Sequence, residues 1–183
     1  NSEKALEIQV NHNNQLKEAK FRTNYANCLS QLKFIDLAIE QNKIAISIKE
    51  KLEENKSLGI SYGVLANIYY ALGDFTEAQN YGKKALGIFR KYDMTNFEGR
   101  LLAIIADSLM QCGNYDEMTS YLDAAEIIIK SFNDSFILGK LEFMKVQKSL
   151  HENEIKNGLE LLDNCIDYFE MAENKPFIVA ALI

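Results

Sequence analysis

Proline is nearly absent from this 183-residue chain: the single one, Pro176, lies close to its end. With one proline and nine glycines, the chain has few of the punctuation marks that closely spaced β-turns require, so long helices are the expected element. Tryptophan is missing and histidine occurs only at His12 and His151. The three cysteines, Cys28, Cys112 and Cys165, form no CxxC pair and no Cys/His cluster. That dispersed, odd-numbered set gives neither a disulfide framework nor a zinc site, and the three are expected to be small buried apolar residues. No apolar run approaches the roughly 18 residues of a membrane span, and Asn1 does not open a signal peptide, so a cytoplasmic chain with no membrane partner is expected. HExxH, GxSxG and GxxxxGK[ST] are all missing, which points away from an enzyme and from a bound cofactor or metal. A net charge of −6 argues against direct contact with nucleic acid.

What the chain does have is self-similarity. The stretch from Leu58 to Asp93 reads as two amphipathic helices joined at Gly73-Asp74, and a shift of 40 residues finds it again. Ala26, Ala66 and Ala106 are 40 apart, as are Ala45, Ala85 and Ala125, and Gly59, Gly99 and Gly139. Gly73 pairs with Gly113, Phe75 with Tyr115, and Tyr81 with Tyr121. This register divides the chain into the end of a preceding repeat (1–12), four repeats (15–54, 55–94, 95–134 and 135–174) and the start of a fifth (175–183), about nine helices in one array. Lys4-Ala5-Leu6 repeats Lys84-Ala85-Leu86, so the chain is expected to begin on an orphan second helix, to place His12 in a loop, and to be cut from a longer protein. Asp74 and Asn114, each three residues before a Glu, are the expected caps of two second helices, and Asn55, Thr95 and Ser135 those of the first helices. Lys33 stands where later copies have Gly73 and Gly113, and Asn153 fills the same place in the fourth.

Tyr62, Leu65, Ala66, Tyr69, Leu72-Gly73-Asp74-Phe75, Glu77-Ala78, Tyr81 and Ala85-Leu86 together resemble the tetratricopeptide repeat pattern. The third repeat matches at Ala106, Gly113, Tyr115, Tyr121 and Ala125, and the first at Tyr25-Ala26, Ala38 and Ala45. The resemblance implies an all-α fold, an α-solenoid of antiparallel helix pairs in a right-handed superhelix. Two departures stand out. The period is 40 where the family's is about 34, and Ile88-Phe89-Arg90-Lys91 continues the helix where a proline normally ends it. Longer repeats of this kind resemble those of bacterial peptide-pheromone receptors, input modules of sensor kinases and transcription regulators, and motor or polarity adaptors. HEAT-like repeats of similar period are the rival reading.

In proteins the chain resembles, first helices line a concave groove, and one position there frequently carries an Asn that binds ligand backbone. The matching positions are Asn27, Asn67, Asp107 and Gln147. Two turns upstream come Lys20, Ile60, Arg100 and Lys140, and one turn downstream Ser30, Tyr70, Met110 and Leu150. An amide offers one acceptor and two donors, which suits an extended backbone whose side chains vary. This ladder implies a protein- or peptide-binding module, the sensory or scaffolding part of a larger bacterial-type signalling protein. A solvated face copied by duplication would show the same recurrence. Two further readings stay open: a structural module that stacks end to end, with a homodimer through residues 1–10 and 177–183, and an enzyme regulator whose active surface lies outside this segment. The position where chaperone-tail receptors place Lys holds Thr23, Gly63, Ala103 and Phe143, so a two-carboxylate clamp is not expected.

Overall fold

The computed structural model describes residues 2–174 and 176–177, with side chains from residue 9 onward. Eight helices occur among the described residues: α1 (Ser2–Gln31), α2 (Ile35–Lys51), α3 (Asn55–Leu72), α4 (Phe75–Lys91), α5 (Thr95–Gln111), α6 (Tyr115–Phe132), α7 (Ser135–His151) and α8 (Ile155–Met171). They fall into two compact units, Asn1–Met94 with α1 to α4 and Thr95–Ile183 with α5 to α8. In the first unit α1 pairs with α2 and α3 with α4, while α3 also lies against α1 and α2; in the second, α5 pairs with α6 and α7 with α8, while α7 also lies against α5 and α6.

What stops each helix is a single residue in the left-handed region. Lys33, Glu53, Gly73, Asp93, Gly113, Asn133, Asn153 and Glu173 all have positive φ, and they are spaced 20 residues apart. Just after seven of these stops, a backbone N–H reaches five residues back: Phe34 to Leu29, Glu54 to Lys49, Asp74 to Tyr69, Met94 to Phe89, Asn114 to Leu109, Glu154 to Ser149 and Asn174 to Phe169, at 2.8 to 3.0 Å. This is the Schellman arrangement, which satisfies carbonyls that a helix end would otherwise leave bare.

Within a pair, the close contact is made by a small residue near the start of the first helix. A Cβ built on Gly59 would lie 2.6 Å from Ile88 Cγ2 and 3.2 Å from Phe89 Cε1, one on Gly99 2.7 Å from Ile128 Cγ2, and one on Gly139 2.7 Å from the Phe169 ring. Further along, Ala26, Leu65, Ala66, Ala85 and Ala106 are wholly buried. Tyr69 stacks on Tyr81 with ring centres 5.5 Å apart, closing the α3/α4 pair.

Several expectations are corrected here. α1 runs unbroken from Ser2 to Gln31, so His12 is helical, 3.9 Å from Glu54, and residues 2–12 continue into the first helix instead of forming one of their own. Asn13-Asn14 carries neither glycine nor proline, and nothing there breaks the intrahelical bonds. Fusion of those two helices leaves eight rather than about nine, and the expected helix from Pro176 onward lies outside the described residues beyond Phe177. Asn55, Thr95 and Ser135 are already helical rather than caps. Because the left-handed stop falls at 53, 93 and 133, only one residue separates it from the next helix; there Asp134 accepts from Ile137 N at 3.2 Å, whereas Glu54 makes no side-chain cap. Asp74 caps α4 through Glu77 N at 3.1 Å, whereas Asn114 makes no side-chain cap to α6. Of the cysteines only Cys165 is buried; Cys28, near the end of α1, and Cys112, in the turn after α5, are exposed.

An L-residue held left-handed is strained by roughly 1–2 kcal/mol, part of which glycine gives back as unfolded-chain entropy. Lys33→Gly is therefore expected to stabilise the chain by about 1 kcal/mol and Gly73→Ala to destabilise it by a similar amount, read as urea midpoint shifts at constant m.

Candidate functional site

The ladder residues lie on first helices, two rungs in each unit. In the first unit, Lys20, Asn27 and Ser30 are on α1, and Ile60, Asn67 and Tyr70 on the adjacent α3. Asn67 and Lys20 are exposed, Asn27, Ile60 and Tyr70 half-buried, and Ser30 buried. The Tyr70 ring leans on Phe75, 5.8 Å centre to centre. Asn27 and Asn67 thus offer amides on neighbouring helices with no described side chain engaging either.

The second unit presents a different surface at the same register. Asp107 is only 9% exposed and accepts from Gln111 Nε2 at 3.3 Å, and Met110, 8% exposed, belongs to the packing. Gln147 and Lys140 are half-buried, with Lys140 Nζ 5.9 Å from the centre of the Phe136 ring, while Leu150 is exposed. Arg100 Nη2 lies 3.0 Å from Asp134 Oδ2, so the helix-capping carboxylate of α7 already answers that guanidinium. The basic edge read from the sequence is therefore partly neutralised by the fold itself. His151, at the end of α7, stacks on Tyr115 with ring centres 4.2 Å apart.

Two charged clusters were missed in the sequence. In the first unit Lys49, 1% exposed, projects from the last turn of α2 between α1 and α3. Its Nζ donates to Thr23 Oγ1 (2.8 Å), Ser61 Oγ (2.6 Å) and the Ser57 carbonyl (3.2 Å). Thr23 in turn donates to Ala19 O, and its Oγ1 lies 2.8 Å from Ser61 Oγ. Asn42 Nδ2 donates to Ser61 O at 2.7 Å, leaving its buried Oδ1 without a partner. Burial, with the like charge of Lys20 second, lowers the Lys49 pKa to about 8. The signal was in the register: Lys49 occupies the column of Phe89, Ile129 and Phe169, three core residues.

In the second unit Lys145 Nζ on α7 lies 2.8 Å from both Glu126 Oε2 on α6 and Glu142 Oε1 on its own helix, and Lys130 reaches Glu126 Oε1 at 2.6 Å. Burial pushes the Glu126 carboxyl up, but hydrogen bonds from Lys130 and Lys145 outweigh it and hold the group below its ordinary value. Glu142 is buried with Oε2 unpartnered. Cys165 Sγ donates to Gly139 O at 3.4 Å, and burial pushes its thiol up to about 11, far from a reactive thiolate. Among the described residues no group of three or more His, Cys, Asp or Glu could hold a metal ion, and no helix is long and apolar enough to cross a membrane.

Residues 18–91 match the tetratricopeptide repeat family. Response regulator aspartate phosphatase J of Bacillus subtilis (strain 168) is 27% identical over 129 residues, covering 69% of this chain and 32% of that protein. The crystal structure of aspartyl phosphate phosphatase F from Bacillus subtilis superposes with a TM-score of 0.80 at 17% identity, over 91% of this chain and 44% of the other. The chain thus spans about a third of one relative and less than half of the other. The structural likeness establishes the fold class, an all-α, tetratricopeptide-like solenoid of helix pairs.

Removing Lys145 would strand the buried Glu142 carboxylate. Lys145→Ala is expected to cost about 3 kcal/mol in urea unfolding, and Lys130→Ala, at the exposed end of the network, less than about 1 kcal/mol. The Glu126 contribution is present above the unfolded carboxyl value of 4.5 and is lost as pH falls through the lower folded one.

Proposed function

We propose, from the match of residues 18–91 to the tetratricopeptide repeat family and from the shared fold, that the chain is a protein-binding module of a bacterial-type regulatory protein, and that its first unit grips an extended segment of its partner through Asn27 and Asn67. The observation that carries this reading is the pair of unengaged amides on adjacent helices α1 and α3, flanked by the exposed Lys20 and the half-buried Tyr70. An extended backbone rises about 3.3 Å per residue, and helices pack about 8–10 Å apart, so amides on neighbouring helices meet peptide groups a few residues apart. Lys20 favours a segment carrying an acidic side chain. Asp107 and Gln147 continue the register in the second unit, with Arg100, Lys140 and Met110 as the less open flank. The chain itself does no chemistry in this reading. The relative named for response regulators supports a partner of that kind, contacted as a protein surface.

A neutral amide-to-backbone hydrogen bond contributes ~1 kcal/mol. For a short acidic peptide selected from a random library on the wild-type chain, Asn27→Ala/Asn67→Ala should weaken binding at least about fivefold per lost bond while the circular dichroism stays helical. Lys83→Ala on the outer side of α4 is the control. Equal affinity in all three proteins would remove the site from this face.

A second reading rests on a separate observation. Phe21 and Tyr25 stack on each other on α1, with exposures of 67% and 42%, whereas their register partners Ser61 and Leu65 on α3 are fully buried. That aromatic pair supports self-association through α1, a homodimer. Phe21→Glu is expected to shift the sedimentation coefficient to that of a monomer, and a wild type already monomeric at high concentration removes the reading.

A further inference from the structure

The Lys49 cluster ties three helices through one amine, and its hydrogen bonds close in either protonation state. Charged, the ammonium has three donors for Thr23 Oγ1, Ser61 Oγ and Ser57 O. Neutral, it has two donors and a lone pair, and the Ser61 hydroxyl can turn from Thr23 to meet it. The neutral state gives up the Thr23–Ser61 bond, and the charged one carries the cost of a buried charge. Among the described residues no carboxylate is recorded against it: α1 contributes Thr23 and Lys20, α2 contributes Asn42, and α3 contributes Ser57 and Ser61. Glu50, the next residue along, is taken by the Tyr62 hydroxyl at 2.9 Å. An uncompensated buried ammonium between elements that could part favours their parting, because separation lets water reach it.

We propose that the Lys49 cluster is a proton-operated hinge in the first unit, at which α1 and α2 swing against α3: the charged amine loosens the junction and loss of its proton tightens it. Because the closed junction lowers the amine from 10.5 to about 8, the open form binds more protons across that window, and the closed form gains stability as pH rises through it. The gain is complete above the open-state value and absent below the closed-state one. α1 carries Asn27 and α3 carries Asn67, so the hinge also sets the distance between the two amides.

The hinge is tested by hydrogen exchange on the whole chain, without any ligand. Amide protection in α1, α2 and α3, corrected for intrinsic rates, should rise roughly tenfold between pH 7 and pH 9 in the wild type. Lys49→Met should abolish that rise and leave protection at pH 7 no lower than in the wild type. Ala19→Gly/Lys49→Phe, which recreates the Gly59 and Phe89 combination of the next pair, should respond in the same flat manner and guards against a poorly fitting Met. If the tenfold rise survives in both variants, or if α5 to α8 gain protection by the same factor, the proposal is overturned. It is equally overturned if both variants lose protection across α1 to α3 at either pH, since Lys49 would then be a packing residue only.

Discussion

Every helix in the described chain must stop at a fixed interval, and the left-handed residue that stops it recurs every 20 positions from Lys33 to Glu173. From α2 onward the helices are therefore 17 or 18 residues long, and in the last three pairs a glycine of the first helix meets a large apolar residue of the second. Tetratricopeptide repeats usually have a period of about 34. The six additional residues divide into about three per helix, a little less than one 3.6-residue turn. Both helices of a pair lengthen together, which keeps Gly59, Gly99 and Gly139 against Ile88, Ile128 and Phe169. Glycine is present at only two of the eight stops, so the interval is enforced by packing on either side rather than by backbone preference at the stop.

Contacts within helix pairs and contacts between them are built from different chemistry. Inside a pair the contact is apolar and close, as at Gly139 against Phe169. Between pairs, polar groups enter the core: Lys49, Thr23, Ser61 and Asn42 where α1 and α2 meet α3, and Glu126, Lys145 and Glu142 where α6 meets α7. A buried charge contributes little net adhesion, but a misplaced one is costly, so such groups hold one relative placement against its neighbours. They also make the junction between pairs responsive to pH in a way that the apolar pair contact is not.

The period, the helix pairs and the left-handed turns at Gly73 and Gly113 were legible because each leaves a mark at one position or at a fixed spacing. The caps of the first helices slipped by one residue, since the sequence shows a capping residue type but not where the preceding helix finishes unwinding. Cys28 and Cys112 were misplaced because a thiol fits an exposed helix face or turn as readily as a core. The ladder positions were readable as a register but not as a surface. Whether Arg100 is available depends on Asp134, 34 residues away, and whether Met110 is open depends on what packs over it. Lys49 was visible only by column, beside Phe89, Ile129 and Phe169, and a reading along the chain sees an ordinary helix-terminal lysine.

Repeats that share a register are usually thought of as interchangeable bricks, and the first pair here is not one. Where the other three carry glycine near the start of the first helix and Phe or Ile near the end of the second, it carries Ala19 and Lys49, a methyl added on one side and a ring exchanged for a flexible amine on the other. A copy of α2 spliced opposite Gly59 would bring an ammonium to a helix with Gly63 where α1 has Thr23 to receive it, and a copy of α4 spliced opposite Ala19 would press the Phe89 ring toward a methyl the original partner lacks. Gene duplication could make this array, but recombination among its copies would break it at that joint, so the first pair has to be inherited together with its neighbour's Ser57 and Ser61.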